Sequence, residues 1–513
     1  MIAIVKSTAL HGLEGQIVEV EVDVSNGLPC FDIVGLPDTS VREAKDRVRA
    51  AIKNSGLEFP VKRITVNLAP ADLKKEGPIY DLPIAIGILA ATEQLPPERC
   101  SLFVYLGELS LNGTLRGVAG ALPNVLAARE ASHKDVVVPL ENAAEASLVE
   151  GANVFPVRSL TELAGFLRGE NEIRPFKPDL KDLTAPAPED EELDFADVKG
   201  QQAAKRALEV AAAGGHNIIM IGSPGSGKTM LARRLPGILP DMTFQESLEV
   251  TKIYSLAGLL PSRRPLIIKR PFRNPHHTAS TVSIIGGGRV VKPGEVSLAH
   301  HGILFLDEMP EFQREALEAL RQPLEDGVVT VSRANASITY PARLMLVGAL
   351  NPCPCGFLGD RERECSCTPH QIQRYAARLS GPLLDRIDIH VEVPRLTYEE
   401  LSRLDKGESS AEIKKRVERA REIQRRRFAS LKNKNGCNSR MGSREIKLFC
   451  RLAGSARALI REAFSRLSLS ARSHDRVLKV ARTIADLEGS EIIEDIHIAE
   501  ALQYRSMDKN LLS

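Results

Sequence analysis

The fold is decided by Gly222-Ser-Pro-Gly-Ser-Gly-Lys-Thr229, which matches the pattern G-x-x-x-x-G-K-S/T. The apolar run before it, His216-Asn-Ile-Ile-Met-Ile221, predicts a buried strand, and a helix is predicted over Met230 to Arg234. Glycines let consecutive backbone N–H groups surround phosphate oxygens, while the lysine reaches the β- and γ-phosphates and the threonine hydroxyl binds Mg²⁺. The stretch therefore predicts a nucleoside triphosphate site formed by Gly222, Ser223, Pro224, Gly225, Ser226, Gly227, Lys228 and Thr229.

Two further apolar runs end in polar side chains of the kind that hydrolysis requires. Gly302-Ile-Leu-Phe-Leu-Asp307-Glu308 predicts a strand whose Asp307 holds Mg²⁺ and whose Glu308 polarises the attacking water. The run from Arg343 to Leu350 ends at Asn351, whose amide could orient that water or, equally, cap a helix or turn. Alone, the phosphate loop could be an ordinary glycine-rich turn, and Asp307-Glu308 could be a solvated acidic pair. The two motifs together, in this order, predict an ATPase.

Length and composition indicate several soluble domains. At 513 residues, the chain is long enough for about three domains of roughly 150 residues each. No apolar stretch approaches the roughly 20 residues that span a bilayer, and the residues after Met1 lack a signal-peptide pattern. We therefore expect a cytoplasmic protein without a membrane partner. A net charge of +2 neither requires nor excludes nucleic acid, so any such binding depends on local patches.

Periodicity divides the chain into four ranges. Residues 1–168 mix strand-like and helix-like runs, which predicts an α+β domain, and residues 169–194 are rich in proline and charge, as in a linker. Residues 195–396 alternate strands and helices around the phosphate loop, which predicts an α/β fold with a parallel sheet. Residues 397–513 show helical apolar spacing and predict a helical lid.

Four cysteines lie close together in the sequence. Cys353 and Cys355 form one C-x-C pair, and Cys365 and Cys367 form another after a short charged loop. In a reducing compartment, four thiolates at this spacing indicate a structural tetrahedral Zn²⁺ site, with His370 as a spare ligand. Because C-x-C is tighter than the usual C-x₂₋₄-C spacing, reduced buried thiols are the alternative.

Beyond these motifs, the chain resembles the AAA+ ATPases, and within them the magnesium-chelatase-like family whose bacterial members are called ComM or YifB. The resemblance covers essentially the whole chain and implies ATP and Mg²⁺ as cofactors and a homo-hexameric ring. By the family's pattern, Asn351 is sensor 1, Arg386 is the finger that reaches a neighbouring subunit's nucleotide, and Arg472 is the lid arginine of sensor 2. Besides the phosphate loop, the matching segments are Arg270–Ser280, Lys292–His300, Asn351–Gly356, Leu379–Asp388 and Ser470–Asp486.

Both arginine assignments have alternatives in the residues themselves. Arg386 lies beside Asp385 and Asp388, so a local ion pair is the simpler interpretation. Arg476 lies one turn after Arg472 on the same predicted helix, and the sequence does not separate the two. The resemblance favours Arg386 as the finger and Arg472 as the lid arginine.

Two predicted hairpins carry the candidate DNA contacts. Val328 to Tyr340 predicts two strand-like runs around a turn that begins at Arg333. The glycine-rich segment that ends at Arg289, together with Lys292, resembles a second insert that points into the pore of chelatase-type rings. We expect Arg289, Lys292 and Arg333 to follow the phosphates of single-stranded or branched DNA without sequence preference. Structural hairpins with solvated charges are the alternative.

The first range resembles the peptidase domain of Lon proteases, a ribosomal S5 domain 2-like fold. Glu76–Asp81 aligns with the nucleophile loop, and Leu106–Gly120 aligns with the segment before the catalytic lysine. Ile79 stands where Lon has its serine, and Ala121 and Leu122 stand near the expected lysine. The resemblance therefore implies an inactive domain that assembles the ring or binds a partner.

Together, motifs and resemblance imply a hexameric ATPase that couples ATP hydrolysis to DNA translocation, helicase activity or branch migration of recombination intermediates. The setting would be natural transformation or homologous recombination, with recombinase-type proteins as partners. The hydrolysis site follows from residue chemistry, whereas the DNA substrate rests on the resemblance. The alternatives are an ATPase subunit of a magnesium chelatase and an ATP-dependent protein-remodelling or protease-like factor, the latter opposed by Ile79 and Leu122.

Overall fold

The structure is a computed structural model of the 513-residue chain. It describes residues 2–177, 193–261, 265–288, 291–333, 336–360, 362–396, 402, 407–429, 436–467 and 470–505. The chain divides into two compact units, one of Met1–Pro186 with Phe244–Ile268 and one of Ala187–Thr243 with Lys269–Ser513. A segment from inside the predicted ATPase range, Phe244–Ile268, therefore belongs to the N-terminal unit.

The first unit is organised around a seven-stranded mixed sheet of order β3-β4-β2-β1-β5-β8-β9. The β1–β2 and β2–β4 pairs are antiparallel, and the other neighbours are parallel. Val18, Val20 and Val22 on β2 are all buried because alternate residues of a strand share one face. The strands are β1 (Ile2–His11), β2 (Glu14–Ser25), β3 (Cys30–Val34), β4 (Arg63–Ala69), β5 (Val104–Tyr105), β6 (Glu108–Leu109), β7 (Leu115–Arg116), β8 (Asp135–Pro139) and β9 (Asn153–Val157).

Helices of the first unit cover this sheet. They are α1 (Thr39–Asn54), α2 (Asp81–Ala91), α3 (Pro97–Cys100), α4 (Ala121–Glu130), α5 (Ala143–Ala146) and α6 (Leu160–Arg168). Every residue of α2 is buried, and its first residue, Asp81, accepts two hydrogen bonds from Arg47 at 2.7 and 2.9 Å. Ile79 and Leu122 are core side chains with 7% and 0% exposure.

The second unit is organised around a five-stranded sheet of order β11-β14-β17-β10-β18, in which every pair is parallel. Strands β10, β14 and β17 are buried along their whole length, as expected where helices cover both faces of a parallel sheet. This sheet confirms the predicted α/β class. The strands are β10 (Ile218–Ile221), β11 (Phe272–Arg273), β12 (Gly286–Gly287), β13 (Lys292–Pro293), β14 (Ile303–Leu306), β15 (Val328–Arg333), β16 (Ala336–Pro341), β17 (Met345–Leu350) and β18 (Ile389–Glu392).

The C-terminal part of this unit is helical, as predicted, and buried apolar residues of its helices join the core cluster that includes the sheet. Among the described helices, none combines the length and apolar character needed to cross a membrane. From residue 202 onward the helices are α7 (Gln202–Gly214), α8 (Lys228–Arg234), α9 (Phe244–Ala257, in the first unit), α10 (Thr281–Ile285), α11 (Glu295–Leu298), α12 (Arg314–Ala319), α13 (Arg321–Asp326), α14 (Pro369–Ala376), α15 (Gly381–Leu384), α16 (Ser410–Ala429), α17 (Ser443–Phe449), α18 (Gly454–Leu467), α19 (Ala471–Glu488) and α20 (Asp495–Gln503).

Candidate nucleotide-binding site

The phosphate loop connects the end of β10 to the start of α8. Gly225 and Gly227 have φ values of +79° and +94°, a left-handed conformation that favours glycine. The Nζ atom of Lys228 donates to the carbonyl oxygens of Gly222 and Ser223 at 2.6 and 3.0 Å and to Asn351 Oδ1 at 3.2 Å. Burial lowers the pKa of Lys228 to about 8, against the raising effect of the nearby carboxylates. The predicted sensor 1 amide therefore lies within hydrogen-bond distance of the predicted phosphate-binding lysine.

The predicted Mg²⁺ ligands also meet at this edge of the sheet, because parallel strands β10, β14 and β17 end there together. The Thr229 hydroxyl donates to Asp307 Oδ2 at 2.7 Å, and the backbone N–H of Glu308 donates to Asp307 Oδ1 at 3.0 Å. Glu308 has a φ of 49°, which is unusual for a residue other than glycine. Its carboxylate lies 3.7 Å from Nδ1 of His277. A hydroxyl, two carboxylates and an imidazole thus lie close together beside the phosphate loop.

Two contacting residues at this site were not predicted as site residues. His277 lies in the Arg270–Ser280 segment, so the family resemblance is the signal that could identify it. Asp360 had no sequence signal, since it is one acid in a charged loop. Its Oδ2 accepts a hydrogen bond from the Ser223 hydroxyl at 2.6 Å, and that bond is the main cause of its lowered pKa.

The four predicted zinc ligands lie together. Their sulfur atoms are within 4.8 Å of one another, and the three separations among Cys353, Cys355 and Cys365 are 3.3, 3.6 and 3.6 Å. Four sulfur atoms that bind Zn²⁺ tetrahedrally at ~2.3 Å lie about 3.8 Å from one another, so the four cysteines fit this ion. A backbone N–H from Phe357 contributes most to lowering the pKa of Cys355 to about 6, which favours the thiolate. The group does not include His370, which is exposed on α14.

The loop that carries these cysteines, Cys353–Cys367, packs against the phosphate loop. Besides the Asp360–Ser223 bond, Gly356 approaches Pro224 so closely that a Cβ at position 356 would lie 2.5 Å from Pro224 Cδ. Gly356 also has a φ of +86°, so glycine is required there on two grounds. The geometry of the cysteine loop therefore contributes to the geometry of the phosphate loop.

The three candidate arginines gather around one carboxylate, Glu325 on α13. Arg386 forms an ion pair with Glu325, and its Nη1 donates to the Pro382 carbonyl at 2.7 Å. The charges of Arg386, Arg472 and Arg476 all lower the pKa of Glu325, with the hydrogen bond from Arg386 as the largest cause. The ion pair of Arg386 is thus formed with a residue distant in sequence rather than with the adjacent aspartates.

The two lid candidates differ in their surroundings. Arg476 donates to the Ile387 carbonyl at 3.3 Å and lies 3.7 Å from Asp388 Oδ1, with 16% of its side chain exposed. Asp388 also accepts a hydrogen bond from the buried His216, whose ring nitrogen lies 2.9 Å away. Arg472, in the first turn of α19, is exposed. The Arg476 side chain is therefore held by contacts within the same chain, whereas Arg472 is accessible.

Arg386 and the phosphate loop lie at opposite ends of the strands of the parallel sheet. Asn217, just before β10, donates through Nδ2 to the Arg386 carbonyl at 2.9 Å, whereas Gly222 directly follows the same strand. At ~3.3 Å per residue, the strand separates these two points by about 16 Å. The Arg386 side chain cannot span that distance, so it does not reach the phosphate loop of the same chain.

Both predicted hairpins contain antiparallel strand pairs. β15 pairs with β16 from Val328 opposite Pro341 to Arg333 opposite Ala336, and β12 pairs with β13. The Tyr340 hydroxyl donates to the Val291 carbonyl at 3.0 Å and so connects the two hairpins. Lys292 is exposed. Arg289 and the side chain of Arg333 lie outside the described residues.

The parallel sheet, the phosphate loop and the set of polar residues at its edge define a P-loop nucleotide-binding protein of the AAA+ class. Three family models match the chain: "Magnesium chelatase, subunit ChlI" at residues 194–401, "Subunit ChlI of Mg-chelatase" at 20–142, and "Magnesium chelatase, subunit ChlI C-terminal" at 407–505. Competence protein ComM of Haemophilus influenzae is 47% identical over 99% of this chain and 98% of its own length. The chain therefore belongs to the ComM/YifB family of magnesium-chelatase-like AAA+ proteins, which confirms the predicted family.

Other relatives differ in how much of the chain they match. The YifB protein of Salmonella typhimurium is 48% identical over 100% of this chain and 98% of its own length. A magnesium-chelatase 67 kDa subunit of Chlorobaculum parvum is 31% identical, but over only 31% of this chain and 23% of its own length. Of these three relatives, ComM and YifB match almost the whole chain, whereas the chelatase subunit matches less than a third of it.

Family membership implies ATP and Mg²⁺ as ligands of this site, and the residues present fit both. Thr229 and Asp307 place a hydroxyl and a carboxylate oxygen 2.7 Å apart beside the phosphate loop, and oxygen ligands are what Mg²⁺ requires. Lys228 is the cation that the motif predicts for the β- and γ-phosphates. The Lon-like character of the first unit, by contrast, stays a prediction.

Proposed function

We propose that this protein is a hexameric ATPase that uses ATP hydrolysis to move along DNA and migrate branched recombination intermediates. The supporting observation is the position of Arg386, the candidate finger. It lies near the N-terminal ends of the sheet strands, whereas the phosphate loop lies at their C-terminal ends. This arrangement suits a ring in which each finger acts on the nucleotide of a neighbouring, identical subunit. The full-length similarity to a competence protein supports DNA as the substrate. It also supports a role in natural transformation or homologous recombination, with recombinase-type partners.

In the proposed hydrolysis step, the residues at the phosphate loop act on ATP in turn. Lys228 leaves the Gly222 and Ser223 carbonyls and donates to the β- and γ-phosphates, while Thr229 and Asp307 hold the metal. Mg²⁺, when bound, neutralises charge on the phosphates. Glu308 orients and polarises the attacking water, and the Asn351 amide senses the γ-phosphate.

A neighbouring subunit completes each site in this proposal. Arg386 lies about 16 Å of strand away from its own phosphate loop, so it stabilises the transition state on the next subunit. Arg472 is the better lid candidate because it is exposed, whereas Arg476 is held by Ile387 and Asp388. The Lon-like unit, with Ile79 and Leu122 in its core, contributes to assembly or partner binding rather than peptide cleavage.

The two hairpins are the proposed DNA-contacting elements. Val329 and Val331 of β15 pack in the same core cluster as Ile221 and Leu306, the last residues of β10 and β14. Movement at the nucleotide site can therefore reach the hairpin through packed side chains. Lys292, with Arg289 and Arg333, would bind backbone phosphates, which predicts affinity that falls steeply with salt.

The deciding experiment is ATP-dependent branch migration of three-stranded and four-way DNA junctions. Wild-type protein should move the branch, and Lys228→Ala should not. Lys292→Ala with Arg333→Ala should hydrolyse ATP but bind and move DNA poorly. If wild-type protein neither migrates junctions nor shows DNA-stimulated turnover, the DNA proposal fails. The match to a chelatase subunit over 164 residues then favours a chelatase-type or protein-remodelling ATPase.

A further inference from the structure

The guanidinium of Arg386 is held within its own subunit. Only 12% of the side chain is exposed; Nη2 contacts Glu325 and Nη1 donates to the Pro382 carbonyl at 2.7 Å. Its Nε is buried without a hydrogen-bond partner among the described residues. An arginine that acts on a neighbouring nucleotide must present its donors outward. The observed contacts therefore belong to a conformation in which Arg386 is withheld from a neighbour.

Glu325 is connected directly to the hairpin that carries Arg333. It is the next-to-last residue of α13, which is followed by Gly327 and then by β15. Gly327 has a φ of +68°, and its carbonyl accepts a hydrogen bond from the Ala342 N–H at 2.8 Å, which closes the base of the hairpin. Only Asp326 and the constrained Gly327 separate Glu325 from β15, so a displacement of the β15–β16 hairpin can reach Glu325 over two residues.

We propose that Glu325 is a positioning residue that withholds Arg386 from the neighbouring nucleotide until DNA displaces the β15–β16 hairpin. This inference rests on the proposed function, since it assumes that Arg386 is the finger and that the hairpin contacts DNA. Glu325 suits the role because 55% of its side chain is exposed, so its ion pair can open without disrupting a core. DNA-stimulated ATP turnover is the expected property of such an arrangement.

The test compares Glu325→Gln with Asp326→Asn, which removes the same charge from the adjacent exposed residue. Turnover is measured with and without single-stranded DNA at one protein concentration, and oligomeric state and ATP affinity are measured in parallel. Glu325→Gln should raise DNA-free turnover by about two- to fivefold, the factor expected from losing one ion pair whose carboxylate is exposed, and should reduce the stimulation by DNA. Asp326→Asn and the conservative Glu325→Asp should match wild type.

Several outcomes would overturn the inference. The inference fails if Glu325→Gln equals Asp326→Asn in both conditions. It also fails if Glu325→Gln loses turnover while assembly and ATP affinity are retained, because Glu325 then assists the finger. Failure of the proposed function has a separate signature. Normal turnover in Arg386→Ala rejects the finger, and with it the inference. If wild type lacks DNA stimulation, the DNA part is rejected, and DNA-free turnover of Glu325→Gln still decides whether Glu325 restrains Arg386.

Discussion

Lys228 shows how the environment of one residue sets a property of the site. Its ammonium group is largely buried, and the cost of burying charge lowers its pKa to about 8, although Asp307 and Glu308 act in the opposite direction. In the free protein, a substantial fraction of Lys228 is therefore neutral at mildly alkaline pH. Because triphosphate binding favours the charged form, ATP binding is coupled to proton uptake there.

We expect ATP affinity to fall as pH rises from 7.5 to 9.5. Because binding needs the charged lysine and the lysine loses its proton as pH passes about 8, the dissociation constant should increase about 25-fold over this range. Fluorescent-nucleotide titration measures this. Lys228→Arg is the control, because a guanidinium stays charged over this pH range. The ATP affinity of this variant, though weaker, should not change with pH. An affinity for wild type that does not change with pH contradicts the expectation.

The sequence predicts candidate site residues best where they form a contiguous motif, and the structure brings those residues together at one end of the sheet strands. The phosphate loop follows from one contiguous pattern, and the fold confirms the parallel sheet that the alternating runs predicted. Asp360 and Glu325 could not be found this way, since each is an isolated acid whose partner lies 137 or 61 positions away in the chain. Only the folded chain shows that Ser223 and Arg386 are those partners.

At the scale of elements, the connection between the two hairpins is the contact with the clearest consequence. Tyr340 is buried, and its hydroxyl donates to the carbonyl of Val291, the residue just before β13. Because the loss of a buried hydrogen bond costs about 1 kcal/mol, the two hairpins favour one relative arrangement. Both should therefore move together during the ATPase cycle.

Tyr340→Phe should uncouple the hairpins without affecting chemistry at the phosphate loop. We expect DNA-free ATP turnover within twofold of wild type and fewer base pairs migrated per ATP, because Val291 loses its donor while the aromatic ring still fills the core. Tyr504→Phe, which removes a hydroxyl bonded to Glu500 at 2.9 Å, is the matched control. Unchanged migration per ATP in Tyr340→Phe would show that the hydrogen bond is not needed for coupling.

The cysteine loop is a second element with a measurable property. Four sulfur atoms within 4.8 Å predict about one equivalent of zinc in purified protein. Its removal by a chelator should leave the rest of the second unit folded but weaken ATP binding, since the loop packs on Pro224 and Ser223. Metal analysis and nucleotide titration measure both effects. Less than about half an equivalent of zinc in folded protein rejects the metal site.

At the scale of the whole molecule, the separation of Arg386 from Lys228 makes subunit exchange informative. The ATP turnover of a mixture of two inactive variants distinguishes a finger that acts within its own subunit from one that acts on a neighbour. The about 16 Å between the two edges of the sheet favours action on the neighbour.

We expect Lys228→Ala and Arg386→Ala each to abolish turnover, and their mixture to restore part of it. In the mixture, an intact phosphate loop of Arg386→Ala can meet the intact finger of Lys228→Ala across an interface. Phosphate release at several mixing ratios measures the effect, with the double variant mixed with Arg386→Ala as the control that should stay inactive. No recovery at any ratio, with mixed oligomers present, argues against action between subunits.

The contact between Gly356 and Pro224 places thiol chemistry next to the nucleotide. Joining two sulfurs that now lie about 3.6 Å apart into a disulfide would shorten their separation to ~2.05 Å and pull on the loop between them. That loop has no room to yield toward Pro224, where even a methyl group would clash. Oxidation of two of these thiols to a disulfide by a cellular oxidant is thus expected to distort the candidate ATP site through the contact between Gly356 and Pro224.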